Sequence, residues 1–166
     1  MTTALFIGRF QPFHNAHLSD IKLALQKCDK MVIAIGSSQE SGTEENPFTY
    51  EERREMIERA LKAEGTSNYE IIAVPDINDD EQWVEHVKKT VPEFDIVYTG
   101  NELTEKLFKK KEIIVRKIKL IPNINATEIR KRIIKGNDWR ELVPEEVAEY
   151  IKKINGVERI KETNGN

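Results

Sequence analysis

The chain has 166 residues, 39% of them hydrophobic and 33% charged, with a formal net charge of −3. That length fits one domain, residues 1–166, with a core that needs neither disulfides nor a structural metal, and a lone cysteine, Cys28, excludes an internal disulfide. The slightly acidic balance excludes a broad basic field for wrapping nucleic acid, and no stretch approaches the roughly 18 apolar residues of a membrane span.

Residues 3–8 are a nearly unbroken apolar run, the pattern of a strand covered on both faces of a parallel sheet. Gly8 and Pro12 end it and open a turn. His14 and His17, three apart, then share a face of a helix predicted over 14–28. A strand end leading into helix N–H groups favours anions, so Gly8, Arg9, His14 and His17 are candidates for holding phosphate. A second strand over 31–36 runs into a long irregular connection, Gly36 to Phe48, of the kind that is usually functional. Thr49 and Glu52 form a capping box that starts a helix over 50–64.

A strand over 70–75 leads through an acidic segment to a helix over 81–90 that carries Trp83 and His86. Val97-Tyr98-Thr99-Gly100-Asn101 ends a strand over 95–99, before a helix over 102–109 and a strand over 113–119. Gly100 lets a flat base approach the backbone, and Asn101 can read its edge. Asn125 caps a helix over 126–135 whose first turn projects Thr127 and Arg130, with Glu128 completing a box-like start. A helix over 145–154 follows, and residues 161–166 are polar and expected to fray. Cys28, His86 and Trp139 are read as structural. The alternation predicts an α/β fold: a Rossmann-like, doubly wound, parallel five-stranded sheet of order 3-2-1-4-5 with C-terminal helices. Ligands of such sheets bind at the carboxyl ends of the strands, at the switch point beside the first strand.

The decapeptide Gly8-Arg9-Phe10-Gln11-Pro12-Phe13-His14-Asn15-Ala16-His17 resembles the GRFQPFHxGH signature of archaeal-type nicotinamide mononucleotide adenylyltransferases, with Ala16 in place of glycine. These belong to the nucleotidylyltransferase superfamily that carries HxGH. Asn125-Ala126-Thr127-Glu128-Ile129-Arg130 is similar to its ISGTxxR or ISATxxR motif, with Asn125 for serine. Asp76-Ile77 with Trp83-Val84-Glu85-His86 resembles the D-I-x(5)-W-V-x-H segment of the nicotinamide pocket. Asn46-Pro47-Phe48-Thr49 with Glu52-Arg53 resembles NPFTAGER, with Tyr50-Glu51 for Ala-Gly. The segments 136–140 and 154–160 resemble the family's GDWR and INGVERI, and packing or assembly is their expected role.

The resemblance implies adenylyl transfer from ATP to nicotinamide mononucleotide, giving NAD and pyrophosphate. It implies catalytic roles for His14, His17 and Arg130, and ATP contacts from Gly8, Arg9, Thr127, Gly100 and Asn101. The nicotinamide nucleotide would meet Phe10, Gln11, Phe13, Ser37, Arg53, Asp76, Ile77 and Trp83, with Ser37 on its phosphate. Mg²⁺ would ride on the ATP phosphates rather than on a protein cage, and a cytoplasmic homo-oligomer, a hexamer, is implied, with no nucleic-acid or membrane partner. Transfer to another phosphate acceptor, such as phosphopantetheine or a flavin nucleotide, and a non-catalytic nucleotide sensor are the alternatives. The D-I-x(5)-W spacing speaks against the first, and the retained Arg and His residues against the second.

Overall fold

The computed structural model describes residues 1–118 and 121–164. Its elements in chain order are β1 (Thr3–Gly8), α1 (Asn15–Leu25), β2 (Lys30–Gly36), α2 (Tyr50–Ala63), β3 (Tyr69–Val74), α3 (Asp80–Thr90), β4 (Ile96–Thr99), α4 (Glu102–Lys110), β5 (Val115–Lys117), α5 (Ala126–Lys135), a 3₁₀ turn (Arg140–Leu142), α6 (Glu145–Lys153) and α7 (Gly156–Asn164). Among the described residues no helix is long and apolar enough to cross a membrane. The chain divides into two compact units. Residues 1–9, 19–38 and 68–118 make the first, and 10–18, 39–67 and 121–164 the second.

The first unit is a five-stranded sheet ordered β3-β2-β1-β4-β5, with every pairing parallel. The order is the one predicted. β1 pairs with β2 from Thr3↔Lys30 to Gly8↔Ile35, and on its other side with β4, where Ala4 meets Ile96. Chain direction across the sheet therefore reverses at β1, and all carboxyl ends fall along one edge. On one face Leu5, Val32, Ala34, Val74 and Val97 pack with Val84 and Val87 of α3 and with Phe108 of α4. The alternate positions Ala4, Phe6, Met31, Ile33 and Ile35 are buried too, which explains the continuous apolar runs. Each Val, Leu, Ile, Phe or Met among them contributes about 1.5–3 kcal/mol on burial.

The second unit is helical: α2 packs on α6, α6 on α7, and α7 on α5. Met56, Ile57 and Leu61 of α2, Ile129 and Ile133 of α5, Val147 and Ile151 of α6 and Ile160 of α7 are all buried. The capping box at α2 forms in full: Thr49 Oγ1 accepts the Glu52 N–H, and Glu52 Oε1 accepts the Thr49 N–H. At α5 only half of the box forms. Asn125 Oδ1 accepts the Glu128 N–H, while the Glu128 carboxylate turns to Arg132 four residues on.

Three expectations about element limits change. The strand expected over 113–119 is Val115–Lys117, and residue 119 lies outside the described residues. The helix expected over 14–28 is Asn15–Leu25, which leaves His14 at its N-cap and Cys28 beyond its end. Finally, α7 carries regular helix to Asn164, through residues expected to fray, with 165 and 166 outside the described residues. Ile154 and Asn155, the latter left-handed at φ 61, separate α6 from α7, so α7 is a helix beyond the last one expected, over 145–154.

Candidate active site

The two histidines of the second unit cap each other. The His14 N–H donates to His17 Nδ1 at 3.2 Å, and the His17 N–H donates to His14 Nδ1 at 3.4 Å. The first helical bond, Leu18 N–H to the His14 carbonyl, is 3.1 Å. His14 is thus the N-cap and His17 the third helical residue, the two positions that Ser/Thr and Glu occupy in an ordinary capping box. An Nδ1 that accepts carries no proton, so each neutral ring holds its hydrogen on Nε2. The result is a pair of fixed N–H donors at a helix N-terminus.

Packing keeps the pair neutral. The rings stack at 3.5 Å between centroids and 16° between planes, an arrangement that two cations would destabilise. Burial lowers the His14 pKa from its ordinary value of 6.5 to about 4. His17 is shifted well below its ordinary value, first by burial and then by His14 beside it. Phe10 stands edge-on to the His17 ring at 4.7 Å, and Phe13 stacks on it at 5.5 Å. Both phenylalanines are 2% exposed or less. Ligand contacts were expected of them; their place in this structure is behind His17, where they hold its ring. Ala16 is 5% exposed, and its methyl packs inward in the first turn of α1.

Arg130, from the first turn of α5, donates to the Gln11 carbonyl at 2.8 Å and reaches Thr127 Oγ1 at 3.5 Å. That brings Thr127 and Arg130, both expected to hold phosphate, to the segment that ends in the histidine pair. Gln11 itself is 2% exposed. Its Nε2 donates to the Phe48 carbonyl at 3.0 Å and its Oε1 accepts the Phe48 N–H at 2.9 Å, so both ends of the amide are committed to backbone. Arg53 is fully buried, donating to the carbonyls of Thr49 at 3.2 Å and Glu40 at 3.3 Å. Gln11 and Arg53 were expected to meet the mononucleotide; in this structure both shape the 40–49 loop.

In the first unit the parallel strands bring Gly8, Arg9, Ser37, Asp76, Ile77, Gly100 and Asn101 to the carboxyl edge of the sheet, with Arg9, Asp76, Gly100 and Asn101 exposed. Ser37 has a left-handed backbone, φ 48, and its hydroxyl donates to Asp76 Oδ1 at 3.1 Å. A carboxylate repels a phosphate dianion and accepts from hydroxyl or amide donors. Ser37 is the residue expected on the mononucleotide phosphate, and its hydroxyl here is held by Asp76. Asn101 Oδ1 accepts the Thr104 N–H and caps α4, so only the amide nitrogen end of that side chain suits a base. His86 reaches the Pro75 carbonyl at 3.0 Å and pins the turn before α3. Trp83 is half-buried, its indole met by the Phe108 ring edge at 5.6 Å and 79°. One contact was missed at the sequence level, the grip of Arg159 on Glu52; the capping-box glutamate was its only local signal.

A model of the cytidylyltransferase-like family matches residues 5–142. The nicotinamide-nucleotide adenylyltransferase of Thermococcus onnurineus is 48% identical over 160 residues, 95% of this chain and 86% of that protein. The protein of the same name from Archaeoglobus fulgidus is 44% identical over 169 residues, 98% of this chain and 97% of that protein. Among solved structures, a bifunctional NMN adenylyltransferase/ADP ribose pyrophosphatase from Francisella tularensis, complexed with AMP and a manganese ion, superposes with a TM-score of 0.83 at 26% identity. The match covers 98% of this chain and 51% of that protein, so the chain spans about half its length. By its motifs, its sheet order and these relatives, the chain belongs to the cytidylyltransferase-like family and groups there with archaeal proteins named nicotinamide-nucleotide adenylyltransferase.

Proposed function

We infer that the protein transfers the adenylyl group of ATP to nicotinamide mononucleotide, forming NAD and pyrophosphate. The observation that carries this reading is the neutral histidine pair, two Nε2–H donors held at a helix N-terminus in the same unit as Thr127 and Arg130. The nucleophile is a phosphate monoester whose second pKa is about 6, so at neutral pH it needs no general base. Its oxygen forms a bond to the α-phosphorus, the bond from that phosphorus to the bridging β-phosphate oxygen breaks, and pyrophosphate leaves with the electron pair.

Positioning and charge stabilisation are then the whole task. His14 and His17 donate to the α-phosphate, where charge is redistributed, and Thr127, Arg130 and Arg9 hold the departing phosphates. Ser37 and Asp76 suit ribose hydroxyls or the carboxamide of the mononucleotide, Ile77 offers backbone polar groups, and Gly8, Gly100 and Asn101 take the adenosine part. Mg²⁺ neutralises triphosphate charge when bound. In this reading the ion is carried by the ATP phosphates and waters. The reading includes one domain over residues 1–166, since the family model runs through both units, and a cytoplasmic homo-hexamer.

Incubation with ATP, Mg²⁺ and a panel of acceptor nucleotides, with products identified by mass, tests the assignment. NAD and pyrophosphate are the expected products; turnover on a different acceptor alone would overturn the choice of nicotinamide mononucleotide. A second expectation concerns the indole. Trp83→Ala weakens binding of nicotinamide mononucleotide by roughly tenfold, the lower part of the range for aromatic stacking on a base, and weakens ATP binding less. Calorimetry with each ligand separates the two, and equal losses would mean that the Phe108 cluster has collapsed.

A further inference from the structure

The C-terminal helix holds the loop on which the histidine segment is built. Arg159 of α7 grips Glu52 with both ends of its guanidinium, Nη1 to Oε2 at 2.6 Å and Nη2 to Oε1 at 2.9 Å. Nη2 also donates to the Pro47 carbonyl at 3.2 Å, and the guanidinium lies over the Phe48 ring, 5.9 Å from its centroid. Glu52 meanwhile accepts the Thr49 N–H at 2.9 Å. One ion pair therefore fixes residues 47, 48 and 49 together. Gly156, at the start of α7, adds to the fit: a Cβ there would stand 3.1 Å from Phe48 Cε1 and 2.9 Å from Ile151 Cγ2.

Phe48 passes this constraint on. Its N–H and carbonyl are both paired with the Gln11 side chain, and the Gln11 carbonyl accepts from Arg130. Gln11 lies between Phe10 and Phe13, the two rings that pack on His17. The links are an ion pair, a two-bond amide-to-backbone pair, the short backbone run from Gln11 to Phe10 and Phe13, and buried ring contacts on His17, all within the second unit. A surface ion pair is worth little by itself; this one is tied to backbone on both sides.

We propose that Arg159 is a positioning residue for adenylyl transfer, acting through Pro47-Phe48 and Gln11 on the Phe10–His17 segment. The inference rests on the adenylyltransferase reading. Donors that act on developing charge lose rate when they are displaced by a fraction of an ångström to an ångström, and the loss shows in kcat. Arg159→Lys keeps the charge but cannot span both Glu52 oxygens and the Pro47 carbonyl.

The test uses the full chain at a temperature where circular dichroism shows every variant folded. Wild type is first assayed with ATP and the acceptor panel, and the acceptor it uses serves for all variants. Arg159→Gln is expected to lower kcat by about tenfold with KM for ATP changed less than about threefold, and Arg159→Lys to recover part of the loss. The imidazole ¹⁵N resonances of His17 should move in Arg159→Gln, and the double variant with Gln11→Ala should be no slower than the slower single, as coupled residues require. A lower Tm with unchanged kcat and unchanged His17 resonances, or additive losses in the double variant, would overturn the proposal. If Arg159→Gln does not fold, Glu52→Gln, which keeps an acceptor for the Thr49 N–H, is held to the same criteria. A folded wild type that turns over no acceptor counts against the adenylyltransferase reading instead, and the His17 resonances still decide the role of Arg159.

Discussion

Replacing His17 with alanine is expected to lower kcat by on the order of 10²-fold or more, with a smaller change in KM. The side chain does two things at once. Its Nδ1 accepts the His14 N–H and holds the helix start, while its Nε2–H is the proposed donor to the α-phosphate. His17→Gln separates them, because a glutamine oxygen at this position can still accept the N-cap N–H, as in an ordinary capping box. The glutamine variant should therefore recover the stability lost in His17→Ala, by about 0.5–2 kcal/mol, without recovering wild-type turnover. Steady-state kinetics beside thermal melts read both quantities. Near-normal kcat in either variant would return His17 to a capping role alone.

Acid is expected to destabilise the fold between about pH 6.5 and pH 4. His14 titrates near 6.5 when unfolded but near 4 in the folded chain, because burial disfavours its cation. As pH falls through this window the unfolded chain takes up the proton first, so it gains and the folded state loses. At 1.36 kcal/mol per pKa unit, His14 alone accounts for about 3 kcal/mol, fully present above pH 6.5 and gone by pH 4. His17, shifted the same way, adds to the same slope. His14→Asn supplies a comparison that keeps an N-cap acceptor and removes the titrating ring. Urea denaturation midpoints from pH 7 to pH 4 should fall less steeply for the variant. Parallel curves would mean that the pair is charged in the folded protein.

How much of this was legible beforehand depended on distance along the chain. The strands were readable because both faces of the sheet are covered, so Leu5 and Phe6 are equally buried and no alternation dilutes the apolar run. The N-caps Thr49 and Asn125 were readable because capping is local. The importance of His14 and His17 followed from spacing and context. Their reciprocal capping, which sets the tautomer, did not, because it depends on the helix starting one residue later than the pattern suggested. The resemblance implies ligand contacts for Phe10, Gln11, Phe13 and Arg53, and the packing that they also provide was not legible beside it. Their partners, Phe48 and Glu40 among them, lie far along the chain or inside the unit. Arg159 was opaque for the same reason, standing 107 positions after Glu52.

The placing of β1 in the middle of the sheet has a kinetic side. One of its neighbours, β2, follows after a single helix, but the other is β4, and the Ala4↔Ile96 pairing spans most of the first hundred residues. During synthesis β1, α1 and β2 can collapse together early, since their contacts are local, while the other edge of β1 waits with its hydrogen-bonding groups unpaired. The entropy of closing so long a loop grows only logarithmically, by about 0.6 kcal/mol per doubling, so the final pairing is delayed far more than it is weakened. In that interval the strand that carries the nucleotide motif at its carboxyl end is also the strand most open to a wrong partner.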